Sequence, residues 1–232
     1  MSIYIFGDSI TRGHFGIGYV KYLDTSFITK GWNGATLQQI ITFSTHHIKK
    51  IEAPHSSIIF QGGVNDALYS YLSNDTNGWS EYVENKKVST PPTLSHWKEE
   101  IVKRLQKVQI TYPTFSFYIM NIASEASYAR EDLLSITTQY NSVIEEIGKE
   151  LSIGVIDLFS EYEKELSNKS VADFLPQNNK SMEEDAIFIA GDEEKAAQLS
   201  KERALFLTTD GIHPNKDGAH CIAKAINSSS FL

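Results

Sequence analysis

Short apolar runs bounded by turn residues alternate along this chain with longer stretches whose apolar positions recur every three or four residues. That alternation predicts strands joined by crossover helices. The first strand is expected over Ser2–Phe6, followed by a short helix over Gly18–Asp24 and a weak strand over Phe27–Gly31. From Thr36 to Ile51, residues Leu37, Ile40, Ile41, Ile48 and Ile51 share one helical face, and a turn at Pro54 ends the unit. Ser57–Gln61 reads as a buried strand, Leu94–Ile110 as a helix with Ile101, Val102, Leu105 and Val108 inward, and Phe115–Met120 as a strand. The clearest helix covers Arg130–Leu151, through Leu133, Ile136, Tyr140, Val143, Ile144, Ile147 and Leu151. Val155–Leu158 is the last strand, and Lys216–Ile226 is the closing helix, with Ala219, Ile222, Ala223 and Ile226 inward.

Five strands interleaved with helices predict an α/β fold: a three-layer α/β/α sandwich around a flavodoxin-like parallel five-stranded sheet. The whole chain, 1–232, reads as a single domain. Two polar stretches, near 68–92 and 167–192, are longer than ordinary connections and read as insertions or lids. In such a sheet a ligand crevice lies outside the carboxyl ends of the strands, so segments that directly follow a strand are the places to look for chemistry.

Composition narrows the function classes. With 41% hydrophobic and 22% charged residues the chain is ordinary for a soluble globular protein, and its one cysteine, Cys221, excludes an intrachain disulfide or a cysteine metal cluster. Cys221 is read as packing. A formal charge of -8 argues against nucleic acid and other polyanions. The pairs Lys49-Lys50 and Lys86-Lys87 are too short to form a phosphate-binding stripe. The start, Met1-Ser2-Ile3-Tyr4-Ile5-Phe6-Gly7, lacks the basic and long apolar regions of a signal peptide, and no window matches a membrane span. A cytoplasmic location is the expectation, and oligomeric state is not indicated.

Four segments carry candidate chemistry. Gly7-Asp8-Ser9 follows the first strand, where a glycine permits a sharp turn and a serine hydroxyl can be presented at the sheet rim. Asp210-Gly211-Ile212-His213 places a carboxylate three residues before an imidazole, so Asp210 can bond Nδ1 and leave Nε2 free to take a proton. Asn33-Gly34-Ala35-Thr36 and Gly63-Val64-Asn65-Asp66 offer donors for an oxyanion, Gly34 through an unobstructed amide and Asn65 through its side chain. Each segment also has a plain reading: a strand-ending turn at Gly7, a helix entry at Pro214 with Asn215 or Asp217 as cap, and turns at Gly34 and Asn65. Asp66 is read as a structural hydrogen-bond partner. An aspartyl phosphoryl-transfer site at Asp8 would want a second aspartate two residues on, where Ile10 stands. Of the other histidines only His14 lies near Ser9 in sequence.

In this order the four segments resemble those of the SGNH hydrolases, also called the GDSL esterase/lipase family. Ser9 is similar to the block one nucleophile, Gly34 to the block two glycine, Asn65 to the block three asparagine, and Asp210 with His213 to the block five Asp-x-x-His. The resemblance implies a Ser9-His213-Asp210 triad and an oxyanion hole of the Ser9 amide, the Gly34 amide and the Asn65 side chain. It implies no cofactor and no metal.

Substrate choice is less legible. Tyr69, Tyr71, Trp79, Tyr82 and Trp97 lie in or near the first insertion, where aromatic faces either stack on a sugar or hold the insertion down. No long apolar lid is evident. Short-chain, chiefly acetyl, esters of small molecules or carbohydrates are therefore the expected substrates. An acyltransferase, a thioesterase or lysophospholipase using the same residues, and a non-catalytic carbohydrate-binding protein on a hydrolase fold stand as alternatives.

Overall fold

The computed structural model describes residues 2–53, 55–72 and 93–229. Strands β1 (Ile3–Gly7), β2 (Phe27–Gly31), β3 (Ser57–Gln61), β4 (Ser116–Met120) and β5 (Gly154–Ile156) form a parallel sheet in the order β2-β1-β3-β4-β5. This is the flavodoxin-like order, with its reversal between β1 and β3. All five residues of β3 are buried, as expected of a strand covered on both faces. On the edge strand β2, burial alternates and Lys30 faces solvent, which discourages pairing with another chain.

The helices are α1 (Ser9–Arg12), α2 (Leu37–Ile48), α3 (Val64–Leu72), α4 (Leu94–Thr111), α5 (Glu125–Ala129), α6 (Glu131–Leu151), α7 (Leu158–Leu166), α8 (Asn179–Ile189), α9 (Glu193–Glu202) and α10 (Lys216–Asn227). A 3₁₀ turn spans Tyr19–Tyr22. Right-handed crossovers place α2, α4 and α6 side by side on one face, whereas α10 packs with α7 and the 3₁₀ turn on the other. Ile5, Ile58, Ile59, Phe60 and Ile119 in the sheet meet Ile40, Ile101, Ile144 and Ile222 from the helices in the main core. Cys221 is a free, buried thiol in that core, and burial pushes it up to about 11.

Several expectations shift. The last strand ends at Ile156, because Asp157 serves as a helix cap and accepts from the Ser160 amide at 3.1 Å to start α7. Leu68 to Leu72, expected to open an insertion, instead close α3. The second expected insertion contains α8, begun by a capping box between Asn178 and Ser181. Pro214 precedes the cap of α10, and Asn215 is the capping residue, accepting from the Gly218 amide at 3.1 Å. Pro54 and residues 73–92, including most of the first expected insertion, lie outside the described residues.

In-phase pairing sets Gly7 beside Gly31 and Gln61. The carboxyl ends of β1 and β3 are therefore level, and Ser9 and Asn65 leave the sheet on the same rim.

Candidate active site

Ser9 is the first residue of the one-turn helix α1. Asp8 caps that helix, its Oδ1 accepting from the Ile10 amide at 2.9 Å, and Gly13, at φ +66°, closes it in the left-handed conformation. Any side chain at Gly7 would overlap Thr11 Oγ1 and Gln61 Oε1, so only glycine fits there. Gln61, the last residue of β3, accepts from Thr11 Oγ1 at 2.7 Å and from the Asp8 amide at 3.3 Å, tying the serine turn to the central strand. Ser9 is thus presented on a turn fixed at both ends.

His213 arrives from the other end of the sequence, on a loop that folds back on itself. Thr208 bridges Pro214, and the Thr209 amide donates to the His213 carbonyl at 2.9 Å. Buried Glu125, at the start of α5, anchors this loop. Its carboxylate accepts from the amides of Phe206 at 2.6 Å, Leu207 at 2.9 Å and Thr208 at 2.9 Å, and from Thr208 Oγ1 at 2.7 Å. Arg203 adds a bond from Nη1 to the Thr209 carbonyl at 2.7 Å.

These elements bring three side chains into a line. Ser9 Oγ lies 2.9 Å from His213 Nε2, and His213 Nδ1 lies 2.7 Å from Asp210 Oδ2. Asp210 Oδ1 accepts from the amides of Ile212 at 3.0 Å and His213 at 2.7 Å, which fixes the carboxylate plane. All three residues are buried. Burial pushes the Asp210 carboxyl up, but the facing His213 charge and these hydrogen bonds outweigh it and hold the group below its usual value. Burial likewise pushes the His213 imidazole down, and the Asp210 charge and hydrogen bond, with the charges of Asp8 and Asp185, reverse that and raise it. An imidazole so placed can take the serine proton and then be stabilised as a cation.

Gly34 stands opposite, at φ +69°, a conformation a side chain would strain. Tyr69 donates to the Gly34 carbonyl at 2.9 Å. Asn65 Nδ2 donates to the Ala35 carbonyl at 3.0 Å, which uses one of its two N–H groups and orients the other. Asp66 supports the same loop from behind: it accepts from the Leu37 amide at 2.9 Å and from Trp97 Nε1 at 2.7 Å. Burial pushes its carboxyl up to about 6, against those two bonds.

Ser9, Gly34, Asn65 and His213 all line one cavity of about 260 Å³. Its apolar wall comes from Phe15, Leu68, Leu72, Met182 and Ile212, and its polar wall from Asn33, Asn179 and Glu183. His14 is exposed and is not part of this lining. The aromatic cluster divides. Tyr69 lines the cavity, but Trp97 is buried against Tyr140 at 4.8 Å between ring centroids, so it holds α4 to α6 and is closed to a sugar. Tyr71 receives a hydrogen bond from Arg130 at 3.2 Å. Trp79 and Tyr82 lie outside the described residues.

Gln61, Glu125 and Arg203 escaped the sequence reading, because each acts on partners more than five residues away and carries no local motif. Among the described residues no group of three or more His, Cys, Asp or Glu is arranged to hold a metal ion, and no helix is long and apolar enough to cross a membrane.

Comparison with known proteins bears on the fold and the family. No curated protein matches the chain. Among solved structures, a member of the lipolytic protein G-D-S-L family from Veillonella parvula is similar at 18% identity over 100% of both chains, with a TM-score of 0.58. The acetyl xylan esterase AlAXEase is similar at 14% identity, covering 99% of this chain and 100% of that one, with a TM-score of 0.59. A catalytic mutant of Axe2, an acetylxylan esterase from Geobacillus stearothermophilus, is similar at 15% identity over 97% of this chain and 91% of that one, with a TM-score of 0.61. These likenesses establish the shared fold. The family model described as GDSL-like Lipase/Acylhydrolase matches residues 3–226, nearly the whole length, and the chain belongs to that family as a carboxylic ester hydrolase.

Proposed function

We propose that this protein hydrolyses short-chain acyl esters, acetyl esters above all, including those on carbohydrates, with Ser9 as nucleophile, His213 as general base and acid, and Asp210 as the orienting carboxylate. The observation that carries the reading is the unbroken chain from Ser9 Oγ through His213 to Asp210, at 2.9 and 2.7 Å. Ser9 Oγ attacks the ester carbonyl carbon while His213 Nε2 takes its proton. The oxyanion that forms is met by the amides of Ser9 and Gly34 and by the free N–H of Asn65. Collapse breaks the bond to the alcohol, which leaves with the proton returned by His213. Water, deprotonated by the same nitrogen, then cleaves the acyl-enzyme and releases the carboxylic acid.

Asp210 keeps the imidazole in the tautomer with Nδ1 protonated and stabilises the cation formed at each proton transfer. The small cavity favours a short acyl group, since it lies below the size of pockets that enclose larger ligands. Two proteins among the similar structures are acetyl xylan esterases, and solved catalytic mutants of one of them replace a serine, an aspartate and a histidine by alanine. Rates on acetyl, butyryl and octanoyl p-nitrophenyl esters test this reading, with Ser9→Ala as control. The acetyl ester should be cleaved fastest and the Ser9→Ala protein should be inert while remaining folded. Preference for octanoyl would refute the acyl assignment, and wild-type turnover by Ser9→Ala would refute the nucleophile.

A further inference from the structure

Two of the three side chains of the cavity's polar wall, Asn179 and Glu183, come from α8 and are paired. Asn179 Nδ2 donates to Glu183 Oε1 at 2.9 Å across one helical turn, which orients both head groups. The second Glu183 oxygen and the Asn179 side-chain oxygen stay available as acceptors. No lysine or arginine lines the cavity among the described residues, so an anionic alcohol would meet the Glu183 charge with nothing to offset it. Two neighbouring acceptors without a cation suit a ligand that supplies neighbouring hydroxyl donors.

The helix that carries this pair is locked to the catalytic loop. Asp185, on α8, receives two hydrogen bonds from Arg203, at 2.7 and 2.8 Å, and the same guanidinium reaches the carbonyl of Thr209, the residue before Asp210. On its inner face α8 packs Met182 and Ala186 against Phe15, whose ring lies 4.9 Å from that of His213. A bidentate ion pair and an apolar contact therefore hold Asn179 and Glu183 at a set place relative to Ser9.

We propose that α8 selects the alcohol half of the ester, with Asn179 and Glu183 accepting hydrogen bonds from free hydroxyls of an uncharged polyol, and with the Asp185–Arg203 pair fixing that wall against the catalytic loop. The inference rests on Ser9 as the nucleophile, which puts the scissile bond in this cavity.

The test uses the full chain and four esters of one acyl group: p-nitrophenyl acetate, a monoacetylated pentose, butyl acetate and acetylcholine. The quantity read is the ratio of kcat/KM for the pentose ester to that for butyl acetate. Glu183→Ala and Asn179→Ala should each lower this ratio about ten-fold, the scale of one hydrogen bond to a charged or well-oriented acceptor, chiefly through KM. Glu183→Gln, which keeps an acceptor oxygen, should recover most of the loss. Glu184→Ala, on the outer face of α8, should leave the ratio within about two-fold of wild type. Glu183 is exposed, so its variants should keep the wild-type unfolding midpoint. An unmoved ratio in both alanine variants, in an enzyme that cleaves p-nitrophenyl acetate, would overturn this inference alone. A preference for acetylcholine lost equally in Glu183→Ala and Glu183→Gln would overturn it in favour of a cationic alcohol. A wild-type protein inert toward all four esters would overturn the Ser9 assignment and this inference with it.

Discussion

Replacing Glu125 by alanine removes the one side chain that accepts four hydrogen bonds from the loop holding Asp210 and His213. Each buried donor left without a partner costs about 1–3 kcal/mol. Four such losses do not simply add, because the loop relaxes and water enters the vacated space. The expected destabilisation is about 3–5 kcal/mol, the range seen when a buried network loses one member. Against a total stability of about 5–15 kcal/mol this is a large fraction. Glu125→Gln is milder. Its amide can keep the oxygen where Oε2 meets Leu207, Thr208 and the Thr208 hydroxyl, but it turns N–H toward the Phe206 amide. One lost bond and one donor facing a donor give about 1–3 kcal/mol. Urea unfolding followed by tryptophan fluorescence measures both, with the slope checked for constancy. Ester hydrolysis under native conditions should fall in the same order, since α5 also binds the loop through the Ala126 amide and the Gly211 carbonyl at 2.9 Å. An alanine variant within about 0.5 kcal/mol of wild type would refute the role given to Glu125.

Other perturbations reach the remaining parts of the site. Asp210→Asn should lower kcat by about 10⁴-fold, the loss known for the same change in a serine protease triad, with the fold retained. Because Asp210 holds His213 above its usual 6.5 against the effect of burial, hydrolysis should fall as pH drops through that raised value, and the acid limb should move to lower pH in Asp210→Asn; an unmoved limb in the pH profile would refute the assignment of His213 as base. Asn65→Ala should cost about 10²–10³ in kcat with little change in KM, read from steady-state kinetics. Asp8 tests the burial argument. Burial pushes its carboxyl from 3.8 up to about 6, so the native state holds the proton more tightly and stability declines as pH rises between those values. Asp8→Asn keeps a helix-capping oxygen and removes that decline, worth up to about 3 kcal/mol, and urea midpoints at pH 4 and pH 7 should draw closer than in wild type.

The parts of this molecule that were legible in sequence are those where one residue type is compulsory. Strands β1, β3 and β4 are buried on both faces and read as apolar runs, while Ser9, Asp210 and His213 have spacing and turn chemistry that leave few substitutes. The α8 helix was hidden because only Met182, Ala186 and Ile189 face inward and its exposed Ile187 blurs the pattern. Its capping box at Asn178 and Ser181 was the available signal, as were the Asp157 and Asp192 caps for α7 and α9. Glu125 carries no such signal. Its partners lie 81 to 83 residues downstream, and only the fold brings them to its carboxylate. Trp97 misled for the related reason that an aromatic residue looks alike in sequence whether it faces a sugar or, as here, donates to buried Asp66.

The most direct measurement is the site of covalent capture by a fluorophosphonate, read by mass spectrometry of the digested protein. One adduct is expected, on Ser9, formed by wild type and lost in folded His213→Ala. A folded wild-type protein that takes no label, or takes it on a residue other than Ser9, would contradict it.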